Sequence, residues 1–165
     1  MGGYGEVVTW EQDDEHEYDY VRVWDRDLPV LLFVMLNPAA NSGSSTIPEA
    51  TTRRCIGYAR REGFGGIRFV NLFTYRATYP VELWAAAEQN GPGADEHLAA
   101  ALRDAGGRAV VGWGSNDGAG MAERVDLVRR LADDAGVELL CVRRNADGAP
   151  GHPSRGAYLP LQPWP

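Results

Sequence analysis

The chain contains no lysine, and all 16 of its basic residues are arginine. That absence excludes Schiff-base chemistry on lysine, a P-loop lysine and a lysine-based lyase step. Cysteine is nearly absent: Cys55 and Cys141 stand alone, without CxxC spacing, so neither a disulfide framework nor a thiolate cluster is expected and both read as buried free thiols. Three histidines and two separated cysteines do not make a zinc site. No metal and no cofactor are expected. A GxSxG elbow is missing, and "GFGG" at 63–66 lacks the strand-first context of a dinucleotide fingerprint. No apolar run approaches the roughly 18 residues of a membrane span, and the N-terminus has neither a basic start nor an apolar core. The sequence therefore predicts a soluble, cytoplasmic protein with no membrane partner.

What is present is enough for a core. With 165 residues, 44% of them hydrophobic, the chain is expected to form one domain over 1–165, with an acidic segment at 1–26 and a Pro-rich loop and tail at 148–165. Residues 1–20 carry seven acids and no arginine, which accounts for the whole net charge of −7. A charge-balanced body with local arginine clusters neither favours nor excludes a nucleic-acid partner.

Apolar patterning alternates between short β-rich runs and longer helical ones, without internal repeats. Strands are predicted at "VLLFVML" (30–36), "IRFVNLF" (67–73), "AVVGWG" (109–114) and "ELLCVR" (138–143). The first and third are nearly unbroken apolar runs, as strands covered on both faces require. "TIPEATTRRCIGYARREG" opens with Thr46 and Glu49 at capping-box spacing, with Pro48 inside the first turn, and closes at Gly63. "PVELWAAAEQN" and "GADEHLAAALRDAG" read as helices before the third strand, and "GMAERVDLVRRLADDAG" as one ending at Gly136. This order predicts an α/β three-layer sandwich: a central parallel, roughly four-stranded sheet flanked by helices, with right-handed crossovers. "YDYVRVW" reads as an antiparallel edge strand, and the proline-rich tail as a loop packing back over the domain.

Ligands of open parallel sheets bind outside the carboxyl ends of the strands. The loops there read "NPAANSGSS", "TYRATYP", "SNDGAG" and "RNADGAPGHPSRG". In the order of these motifs, "MLNPAA", "FVNLF", "VVGWGSND" and "GHPSR" resemble, more distantly, motifs of the uracil-DNA glycosylase superfamily: Asn-Pro, a base-reading asparagine strand, Trp-Gly and His-Pro-Ser. A closer likeness runs through "LNPAA", "TTRRCIGYARREGFGG", "VNLFTYRATYP", "GWG", "GHPSR" and "QPWP". On these the chain is identified as a member of a family of small bacterial and phage proteins catalogued as domain of unknown function 1643.

The glycosylase resemblance implies a uracil-DNA-glycosylase-like fold and an N-glycosidic hydrolysis on a base, modified or damaged, in DNA or in a nucleotide or nucleoside, as in DNA repair or modification. Asn37 would orient the water and His152 would donate to the leaving base; the alternative for Asn37 is an Asx turn using Pro38. Asn71 reads a base edge or satisfies neighbouring loops. Arg76 and Arg155 bind phosphate or form surface ion pairs, and Arg53 and Arg54 begin a helix whose N-terminus favours an anion. Tyr75 and Tyr79 are stacking platforms, Trp113 closes the third strand, and Ser154 shapes its loop or contacts a phosphate. No apolar wedge follows Ser154, so a single strand, nucleotide or nucleobase is favoured over duplex DNA. The rivals are a catalytically silent nucleotide- or single-strand-binding module of a phage or defence system, and a small-molecule enzyme of unrelated chemistry.

Overall fold

The computed structural model describes residues 3–40 and 47–165. Seven strands form one sheet: β1 (Glu6–Gln12), β2 (Glu17–Val23), β3 (Val30–Met35), β4 (Gly66–Asn71), β5 (Arg108–Val111), β6 (Glu138–Cys141) and β7 (Gln162–Pro163). Their spatial order is β1-β2-β4-β3-β5-β6-β7. The expected sheet of roughly four parallel strands is thus corrected to a mixed one. β4, β3, β5 and β6 run parallel, while β1, β2 and β7 add antiparallel pairings at the two sides.

β3 lies in the middle, and its alternate side chains enter two different cores. Leu31, Phe33 and Met35 pack with Cys55, Ile56 and Ala59 of α1 (Ala50–Arg61). Leu32 and Val34 pack with Leu83 of α2 (Pro80–Ala85), Leu98 and Leu102 of α3 (Ala94–Arg103) and Val128 and Ala132 of α4 (Met121–Ala135). Two covered faces leave no polar position, hence the unbroken apolar run. α1 buries Thr52, Cys55, Ile56 and Ala59, the three- and four-residue spacing of one helical stripe. α4 ends at Gly136, which adopts φ +67 while the Val137 N–H returns to the Ala132 carbonyl at 2.8 Å. Both cysteines are buried and free, and burial raises both thiols, that of Cys55 furthest.

Several expectations change. The 18–24 segment is antiparallel, but β1 covers its outer side, so it is not an edge. Glu49 is the N-cap of α1, which leaves Pro48 ahead of the helix, and Thr46 lies outside the described residues. The helix read over 80–90 stops at Ala85, because the 89–91 segment is drawn into the loop after β4. The Gln89 carbonyl accepts from Thr74 and Tyr75, Asn90 Oδ1 accepts from the Thr74 N–H, and Thr74 Oγ1 accepts from the Gly91 N–H. The tail supplies β7, an edge strand in which Pro163 costs no needed donor, and buries Trp164 edge-on against Trp113 with centroids 5.0 Å apart.

A partly buried ion pair ties β4 to β2. Arg68 donates to both oxygens of Asp19, at 2.9 and 2.7 Å. No helix among the described residues is long and apolar enough to cross a membrane.

Candidate active site

The carboxyl ends of β3, β4 and β5, the start of α1 and the loop after β6 enclose a cleft of about 650 Å³. Sheet register explains who meets there. Met35 pairs with Asn71, so the chain leaves β3 at Asn37 beside the end of β4, and positions 35, 37 and 71 share the α1 face.

The two asparagines are held very differently. Asn37 donates from Nδ2 towards three carbonyls, those of Pro38 at 2.9 Å, Tyr75 at 3.3 Å and Ala77 at 2.9 Å. Three acceptors around one nitrogen fix which way the amide points, and Oδ1 is left as its acceptor for the cleft. The Ala77 N–H donates back to the Pro38 carbonyl at 3.0 Å, so the loops after β3 and β4 are stitched together. Asn71 is only 7% exposed, yet its carboxamide has no hydrogen bond to any described residue, and it lines the cleft. Its amide atoms stay open to the cleft, where a ligand or water can meet them.

His152 lies in a loop held by two arginines. Arg54 of α1 donates to the carbonyls of Pro153 at 3.0 Å and Gly156 at 2.6 Å, and Arg143 donates to those of Arg155 at 2.6 Å and His152 at 3.1 Å. Arg143 lies across Gly151, where an added Cβ would come within 2.6 Å of its side chain; Gly112 similarly lets Pro153 approach the end of β5. Within this loop the Ser154 N–H donates to His152 Nδ1 at 3.2 Å, and Ser154 Oγ lies 2.7 Å from the same nitrogen. A backbone N–H can only donate, so Nδ1 is unprotonated and the neutral ring carries its hydrogen on Nε2. Burial, then the charges of Arg143 and Arg155, push the ring below the ordinary imidazole value, which keeps it neutral near pH 7.

The other end of the cleft is acidic and aromatic. Tyr20 and Phe69 line it, their centroids 5.8 Å apart, with Glu17 and Glu49. Glu17 is buried, accepts from Trp10 Nε1 at 2.8 Å and faces Arg76 at 3.8 Å. Desolvation, then the Glu17 charge, raises Glu49 above the ordinary carboxylate value. Burial likewise raises the Tyr20 hydroxyl, which accepts from the buried Arg22 at 2.8 Å. Among the described residues no cluster of metal-ligating side chains occurs.

The cleft brings together Asn37, Pro38, Asn71, Trp113, His152, Ser154 and Arg155. Arg155 has no ion-pair partner among the described residues, and Trp113 is buried with its carbonyl accepting from Asn116 at 2.8 Å. Arg53, Arg54, Tyr75, Arg76 and Tyr79, expected contributors, stand outside the lining. Arg76 reaches back to the β1–β2 hairpin, bonding Gln12 and lying over Trp10. Tyr75 packs its ring on His16, and Arg53 donates to the Pro48 carbonyl of its own helix start at 2.6 Å. Tyr79 begins α2, 66% exposed. Sequence reasoning missed Glu17, Glu49, Tyr20 and Arg143. Glu17 and Tyr20 come from β2, which only strand pairing brings to the site, and Glu49 reads in the sequence as a helix-capping residue. Arg143 had a signal, since it ends the predicted fourth strand immediately before the His-Pro-Ser loop.

A family model described as protein of unknown function (DUF1643) matches residues 18–154. No curated protein and no solved structure matches the chain.

Proposed function

The chain belongs to the DUF1643 family of proteins of unknown function, and from that premise we propose that it is an N-glycosidic hydrolase of uracil-DNA-glycosylase-like fold, acting on a base in single-stranded DNA, a nucleotide or a nucleoside. The observation that carries this reading is the neutral His152 in the same cleft as Asn37 and Asn71, with Nε2–H as its free donor. Support for the fold assignment comes from the four parallel strands whose carboxyl ends carry the motifs.

In the proposed reaction the bond from the anomeric carbon to the base nitrogen breaks as a water oxygen bonds to that carbon. Asn37 Oδ1 accepts a hydrogen bond from the water and aims it. His152 Nε2–H donates to the base as it leaves with the bonding electron pair, stabilising charge that develops only in the transition state. The water's proton ends on the released base, so no redox partner enters. Asn71 meets the base edge, Tyr20 and Phe69 offer aromatic surface, and Arg155 is the cation for a phosphate.

A panel of modified-base oligonucleotides and free nucleosides, read for released base, tests this. Activity should fall about 10²-fold or more in His152→Ala and Asn37→Ala. A second reading, a non-catalytic binding module, is favoured by one observation: Asn37 already braces its own loop. Binding of single-stranded DNA without base release from any substrate would establish it instead.

A further inference from the structure

Resting on the reading of the cleft as a base-binding site, we propose that its inner end takes a base with a guanine-type edge, two adjacent N–H donors beside a carbonyl, rather than a uracil-type edge. Glu49 is the residue that points there. A glutamate at the N-cap of a twelve-residue helix has backbone N–H groups within reach, yet Glu49 makes no side-chain cap bond. It lines the cleft instead, and no described residue donates a hydrogen bond to it. Its charge is set near that of Glu17, which is itself buried in the same wall. Glu17 has its donors in Trp10 and Arg76, whereas those for Glu49 are left to a ligand.

Asn71 is the independent observation. More than nine-tenths buried and without a protein partner, its carboxamide offers one donor and one acceptor to the same space. Ionised carboxylates only accept. A guanine edge fits this pair: its ring N–H and 2-amino group donate side by side to Glu49, and its carbonyl accepts from Asn71 Nδ2. A uracil-type edge has a single N–H between two carbonyls and sets an oxygen against the carboxylate. Adenine and cytosine edges place a ring-nitrogen lone pair there. Arg155, which also lines the cleft, is left for the phosphate.

Calorimetric titration with guanosine, inosine and uridine monophosphates, and with the same bases in a short single-stranded oligonucleotide, tests the assignment. Guanine should bind at least about tenfold more tightly than uracil, with hypoxanthine, which lacks the 2-amino group, between them. Glu49→Gln, nearly isosteric, should remove most of that preference while uracil binding changes little. Equal affinities, a preference for uracil, or a ratio untouched by Glu49→Gln overturns the guanine assignment and leaves the base-site reading standing. Failure of every nucleotide and oligonucleotide to bind overturns both.

Discussion

At its His152 end the cleft is walled by a loop whose carbonyls are taken up by arginines, while at its Glu49 end the side chains of Glu49 and Asn71 face the space without a hydrogen bond to any described residue. The first end is rigid before any ligand arrives. The second leaves its hydrogen-bonding capacity for whatever binds. A charge-assisted hydrogen bond contributes about 1.5–3 kcal/mol. The clamped end therefore stabilises the fold, and the open end adds little to it.

Breaking the clamp should have the largest effect. Arg143→Ala removes the donors to the His152 and Arg155 carbonyls and is expected to lower stability by about 2–3 kcal/mol in urea denaturation, with faster amide exchange confined to residues 151–156. If exchange rises evenly over the whole chain, the loop is not separately held. The two asparagines sharpen the contrast. Asn37→Ala should cost about 1–2 kcal/mol, because three carbonyls lose their shared donor. Asn71→Ala should stay within about 0.5 kcal/mol of wild type. Similar denaturation midpoints for the pair would erase the distinction.

Smaller effects come from titration. His152 is held below the ordinary imidazole value, so as the pH falls through that window the unfolded chain binds a proton that the folded chain does not. Stability should decline on acidification from neutral pH, and His152→Gln should flatten that slope; an unchanged slope assigns it to other groups. Glu49 is shifted the opposite way, so the folded chain keeps its proton longer and stability falls as pH rises above the ordinary carboxylate range. Glu49→Gln should accordingly be slightly more stable than wild type at pH 7, by about 0.5 kcal/mol or less. That gain should vanish at a pH where Glu49 is protonated in both states.

How legible all this was in the sequence depended on where the signal resides. The strand at Val30–Met35 and the helix closing at Gly136 were plain because burial on two faces and a left-handed stop each leave a local mark. β1 and β7 left almost none, since the one is a short run with no fully buried residue and the other is two residues long, and tertiary pairing rather than propensity makes both into strands. Asn37 and Asn71 stand out because each ends or interrupts an apolar run, and His152 through the resemblance of its His-Pro-Ser motif. Glu17 and Glu49 resemble any solvated glutamate until β2 and α1 are placed around β4. Arg76 misled for the matching reason: an arginine two residues beyond a strand end is free to turn either way, and this one turns towards Trp10 and Glu17.

The turn in which the Ser154 N–H caps His152 Nδ1 has a consequence for proton traffic. An imidazole relays protons by accepting at one nitrogen while releasing from the other, and a ring whose Nδ1 is permanently covered by a backbone donor is closed to such passage. It can polarise a group presented to Nε2, but to carry a proton through it would first have to unmake the loop that positions it. In the proposed hydrolysis the histidine would therefore support a departing charge and hand nothing on.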